Sequence, residues 1–102
     1  MNMQQMMKQA RKMQQQLESA QEEIKNLEVD ASAGGGMVKA VVSGSGELKS
    51  LSIDPACVDP EDVELLQDMI VAAITEAQKS AQELGAQRMG SITGGLNIPG
   101  LF

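Results

Sequence analysis

The chain contains no histidine, tryptophan or tyrosine, one phenylalanine (Phe102) and one cysteine (Cys57). Histidine is the commonest general base and metal ligand near neutral pH, so its absence removes the usual starting point for catalysis and for metal binding. With a single aromatic ring there is no stacking platform for unpaired bases, which argues against a single-stranded nucleic acid as ligand. A lone cysteine cannot form an intrachain disulfide, and Cys57, with no histidine to activate it, reads as an ordinary structural thiol. No apolar run approaches the ~18 residues of a membrane-spanning helix. The start, Met1 to Lys12, alternates Met with Gln where a secretory signal would carry an apolar stretch. The expectation is a cytoplasmic protein that is not an enzyme and uses no cofactor, metal or small-molecule substrate.

What the sequence does have is segregated charge. The net charge of −6 speaks, by itself, against a polyanionic partner. Yet residues 1–17 carry Lys8, Arg11 and Lys12 and no acid, whereas residues 18–77 hold almost all of the acids. Residues 78–102 are slightly positive, with Lys79 and Arg88 against Glu83. Positive charge therefore sits toward the two chain ends.

Met3, Met6, Ala10, Met13, Leu17, Ala20, Ile24 and Leu27 alternate spacings of three and four, the heptad pattern of a helix with one apolar seam. The residues between them are mostly Gln, Lys and Glu, good helix formers. Such a helix is about 39 Å long at 1.5 Å per residue. A compact domain of this size has a radius of gyration of only about 13 Å, so the helix either projects or packs against something outside the body. In this register Lys8, Arg11 and Lys12 fall on outer positions together with Gln4, Gln5 and Gln15. Met3, Met6 and Met13 lie on the seam and Met7 flanks it, which core filling explains; a Met-lined groove for partner helices is the alternative.

The period changes after Leu27. Val29, Ala31 and Ala33 alternate with polar residues; Gly34-Gly35-Gly36 then precedes Val-rich 37–43; Gly44-Ser45-Gly46 precedes 47–54, with Leu51 and Ile53 on one face. Three such runs joined by glycine connections read as an antiparallel meander. Asp59-Pro60-Glu61-Asp62 reads as a helix start with Asp59 as cap, and Val63, Leu66, Ile70, Ala73, Ala77 and Leu84 keep helical spacing. Gly85 or Gly90 is the expected end. The whole is one expected domain over 1–102: helical arm 1–27, sheet 28–54, helix 59–89 and a Gly-rich tail 90–102.

The glycine runs are not phosphate loops, because neither is followed by Gly-Lys-Ser/Thr and a helix start. Asp54, Asp59, Glu61, Asp62 and Glu64 lack EF-hand spacing, and acids at a helix start have a sufficient electrostatic reason. The outward strip of Lys8, Arg11 and Lys12 remains: three cations and several amides, suited to phosphates and groove edges. Glu18, Glu22 and Glu23 further along would confine a polyanion to the tip.

These features resemble a known family. Ala33-Gly34-Gly35-Gly36-Met37-Val38-Lys39-Ala40 is similar to the Ala-Gly-Gly-Gly-x-Val-Lys-Val signature of the YbaB/EbfC family, departing from it at Ala40. Ile53-Asp54-Pro55 is similar to its turn after the last strand. Met6-Met7-Lys8-Gln9-Ala10-Arg11-Lys12-Met13-Gln14 resembles its first helix, and the run from Leu66 to Ala77 its last. The resemblance implies an α–βββ–α subunit of the α+β class and a tweezer-like homodimer. It implies double-stranded DNA as partner, bound through the arms, with a role in the nucleoid in chromosome organisation or gene expression. Carried over by position, the DNA-binding residues are Lys8, Arg11, Lys12, Lys79 and Arg88. A coiled-coil adaptor or chaperone-like module using the Met-rich helix is the rival reading.

Overall fold

The computed structural model describes residues 2–94, with side chains through residue 91. It runs α1 (Met3–Asn26), β1 (Glu28–Ala33), β2 (Val38–Ser43), β3 (Leu48–Ile53), a 3-10 turn (Pro55–Cys57) and α2 (Val63–Gly94). This is the α–βββ–α order expected.

Asn2 begins α1 from an extended conformation, its side chain accepting from the Gln5 amide at 2.8 Å and satisfying one of the unpaired donors of the first turn. At the other end Leu27 is already extended, while its N–H still reaches the Glu23 and Ile24 carbonyls. Helix passes directly into strand.

The sheet is an antiparallel meander in the order β1-β2-β3. Ala33 pairs with Val38, Ala31 with Ala40 and Val29 with Val42; across the other edge Val38 pairs with Ile53 and Ala40 with Leu51. Between β1 and β2, Gly34, Gly35 and Gly36 all have φ between 64° and 91°. Three successive left-handed residues are accessible at low cost only to glycine, which is why the run is there.

Val38, Ala40 and Val42 point from β2 to the face that α2 covers, and each is fully buried. Opposite them Ala73, Ala77 and Ala81, four residues apart on α2, are fully buried too. Their methyl groups let the helix lie close to the strands. The core is correspondingly slight: the largest fully buried side chains are Val38, Val42 and Ser43. The Ser43 hydroxyl is satisfied by the Glu47 amide and the Ser45 hydroxyl.

α2 lies over β1 and β2 and leaves β3 outside its footprint. Leu51 and Ile53, whose register places them on the covered face, are therefore 37% and 36% exposed. An apolar sheet surface continues past the edge of its own cover.

Both boundaries of α2 differ from those expected. It begins at Val63, not at Pro60. Asp59 instead closes a turn, accepting from the Glu61 amide at 2.9 Å, and Asp62 accepts from Leu65 N at 3.3 Å as the helix cap. Pro60 and its neighbours thus form a turn before the helix. At the far end, Gly85 and Gly90 do not stop it; neither adopts positive φ, and the helix runs on to Gly94. Residues 90–94 are helical where the expected tail began, and residues 95–102 of that tail lie outside the described residues. Gly85 has a packing role: it sits at the crossing with α1, near Ile24 and the Gly44 carbonyl.

The described chain measures 71 × 23 × 16 Å with a radius of gyration of 19.9 Å. For comparison, a compact domain of about 100 residues has a radius of about 13 Å. The excess length is α1 and the end of α2 extending beyond the sheet.

Candidate nucleic-acid interface

α1 meets the body only at its C-terminal end. Gly44 donates to Leu27 O at 3.0 Å, and a side chain at Gly44 would collide with the Ile24 carbonyl. On the other side the Arg88 guanidinium donates to Glu23 Oε2 at 3.1 Å. Ile24 beside Gly85 and Glu23 beside Arg88 set α1 and the end of α2 antiparallel.

Cover along the seam fades toward the N-terminus. Ala20 is buried and Met13, Leu17, Ile24 and Leu27 are half-buried, whereas Met3 and Met6 are 76% and 57% exposed. The first dozen residues of α1 therefore project as an arm.

Lys8, Arg11 and Lys12 stand on this arm, all exposed, on the side opposite the seam at 100° per residue. Gln4 and Gln15 extend the strip at either end. From Lys8 to Lys12 the axial distance is about 6 Å; Glu18 lies about 9 Å beyond Lys12 and Glu22 about 15 Å, at 1.5 Å per residue. The ion pairs among the described residues are Lys39–Asp30 and Arg88–Glu23, so the three arm cations are in none.

The other two expected cations lie elsewhere. Arg88 is at the base of the arm, engaged by Glu23. Lys79 is exposed on the outer side of α2, roughly 30 Å along the long axis from Lys12 by helical rise. The fold brings Lys8, Arg11 and Lys12 together and leaves these two apart. Glu23, as the partner of Arg88, was not legible in the sequence: 65 positions separate them, and only the antiparallel crossing of two helices joins them.

The remaining polar groups have local duties. Asp54 accepts from the Ala56 amide at 2.9 Å, and the Cys57 thiol donates to Asp54 O at 3.0 Å. A groove of about 480 Å³ lies at the base of the arm, beside Ile24, Gly44, Gln78, Gln82 and Gly85. Gln78 donates across it to Gly46 O at 3.1 Å. Its walls offer amides and apolar contact, with no acid or base. No helix among the described residues is long and apolar enough to cross a membrane.

Fold and arm together define a small α+β protein in which a projecting helix carries an isolated cationic tip. The chain belongs to the YbaB/EbfC DNA-binding family, whose model matches residues 1–96. It is similar to the nucleoid-associated protein of Saccharopolyspora erythraea, with 56% identity over 98% of this chain and 94% of that one. It is likewise similar to that of Pelotomaculum thermopropionicum, with 55% identity over 99% and 96%. Among solved structures it resembles an uncharacterised protein of Helicobacter pylori, with a TM-score of 0.74 and 27% identity over 95% of this chain and 99% of that one.

Proposed function

We propose that this is a nucleoid-associated protein that binds duplex DNA as a homodimer, holding phosphates with Lys8, Arg11 and Lys12 of each arm. Its role is in chromosome organisation or the regulation of gene expression, and it acts in the cytoplasm at the nucleoid. The observation that carries this reading is the arm itself: three exposed cations in no ion pair, at the extremity of a 71 Å particle whose body is acidic. The names of the relatives agree with it. Lys79 and Arg88 are secondary phosphate contacts, Arg88 in competition with Glu23.

Support for the homodimer comes from β3. Its apolar face is left open beside a core whose largest buried side chains are valines and a serine. A second copy covering Leu51 and Ile53 would enlarge the buried surface of a domain too small to bury much alone. Reversing the arm charges with Lys8→Glu, Arg11→Glu and Lys12→Glu tests the DNA reading, since none of the three is buried and the fold should survive. Gel shifts unchanged by the triple substitution at low salt contradict it. The adaptor reading draws on the exposed Met3, Met6 and Met7. It predicts capture of a protein that persists in high salt with nuclease present, because apolar contacts are not weakened by salt as phosphate contacts are.

A further inference from the structure

The cation strip uses one side of the arm and leaves the other unexplained. That other side is apolar: Met3, Met6, Ala10 and Met13, with Met3 and Met6 more than half exposed. It continues the same heptad that Leu17, Ala20, Ile24 and Leu27 use to pack on the body. A packed interface therefore runs out into solvent along one unbroken seam.

We propose that this seam binds the α1 arm of a second copy, the two arms pairing seam to seam with their cation strips facing outward. The residues flanking the seam support this occupant. With Met3 and Ala10 at one core position and Met6 and Met13 at the other, the flanking positions are Asn2, Gln9 and Gln16 on one side and Met7 and Gln14 on the other. None is charged, and flanking charges are what ordinarily select or reject a partner helix. The six cations of two arms would otherwise repel; here Arg11, Lys12 and Lys8 occupy the outermost positions, as far from the contact as a helix allows. A copy of the chain matches the heptad spacing by identity. Ala10, in the middle, leaves room for a methionine side chain from the opposite arm, and thioethers adapt to imperfect registry.

From Met3 to Met13 the seam covers about 15 Å, only two heptads. A contact so short is weak in dilute solution and becomes populated when copies are concentrated, as they are along a shared polymer. Pairing would then present cations on both outer sides of the paired arms. That last consequence rests on the DNA reading; the pairing itself does not, so its test contains no DNA.

The test uses the full chain in a Cys57→Ser background with pyrene attached through Ala10→Cys on the seam or Lys8→Cys on the outer side. Excimer emission that grows with protein concentration for the Ala10 label and not for the Lys8 label is expected. Adding Met3→Gln, Met6→Gln and Met13→Gln should abolish it, with helicity retained because Gln and Met have similar helix propensity. Absence of excimer at both positions across the concentration series overturns the proposal. So does equal emission at both, or emission from Ala10 that survives the glutamines.

Discussion

Replacing Lys8, Arg11 and Lys12 together by Gln removes the positive charge of the arm while disturbing neither its helix propensity nor any ion pair among the described residues. The size of the effect follows from the geometry. Lys8 to Lys12 spans about 6 Å of axis, and duplex DNA presents one phosphate charge per ~1.7 Å, so three cations find three phosphates within reach. Two arms neutralise about six, giving a slope of log affinity against log salt of about −5. Affinity should then fall roughly 10³-fold between 50 and 200 mM salt. The triple Gln variant should show a nearly flat dependence, and Lys12→Gln alone a slope shallower by about 2 for a dimer, one per copy. Below about 0.02 M salt the wild-type plot should flatten, because the screening length grows from ~8 Å at 0.15 M toward 30 Å and the body's acids begin to act. Fluorescence anisotropy of a labelled short duplex measures all of this. A triple variant that keeps the wild-type slope would show that the phosphates are met elsewhere.

Other substitutions probe the scaffold. Leu51→Lys with Ile53→Lys, on the open face of β3, should convert a dimer into a folded monomer by sedimentation; an unchanged dimer would move the interface elsewhere. Gly44→Ala forces a methyl group into the Ile24 carbonyl, an overpacking that should cost about 2–3 kcal/mol. In a domain of this size that lowers the melting temperature by roughly 10–20 °C. Glu23→Gln frees Arg88 from a half-exposed ion pair worth about 0–1 kcal/mol. Melting should shift by only a few degrees, while the DNA salt slope steepens by about one per copy as Arg88 becomes available.

Much of the fold is legible in the sequence because its periods are clean. The alternation of threes and fours from Met3 to Leu27 belongs to a helix, and Gly34-Gly35-Gly36 belongs to a turn of positive φ. The boundaries of α2 are less legible, for local reasons. Asp59 and Asp62 are both competent caps, and nothing in their spacing says that Pro60 serves a turn instead of the first helical position. Gly85 and Gly90 read as stops, yet a glycine inside a helix costs only about 1 kcal/mol and can be retained where another backbone approaches, as Gly44 approaches Gly85. For the candidate site, the clustering of Lys8, Arg11 and Lys12 follows from helical spacing alone. The separation of Lys79 and the engagement of Arg88 depend on how two helices cross, which no local pattern encodes.

A protein of net charge −6 that grips DNA looks contradictory only if its charge is treated as a single number. At 0.15 M salt, charges more than about 8 Å apart scarcely feel each other through solvent. The nearest acid beyond the arm cations, Glu18, is already about that far away, and the acids at the start of α2 lie some 50 Å off by helical rise. A phosphate at the tip therefore meets three positive charges and little else. A phosphate beside the body meets acids. The same distribution that attracts DNA to the extremity rejects it everywhere else, so contact is end-on and its footprint small. Length is what makes this possible: an arm shorter by two turns, about 11 Å, would bring Lys12 level with the acids and cancel its attraction.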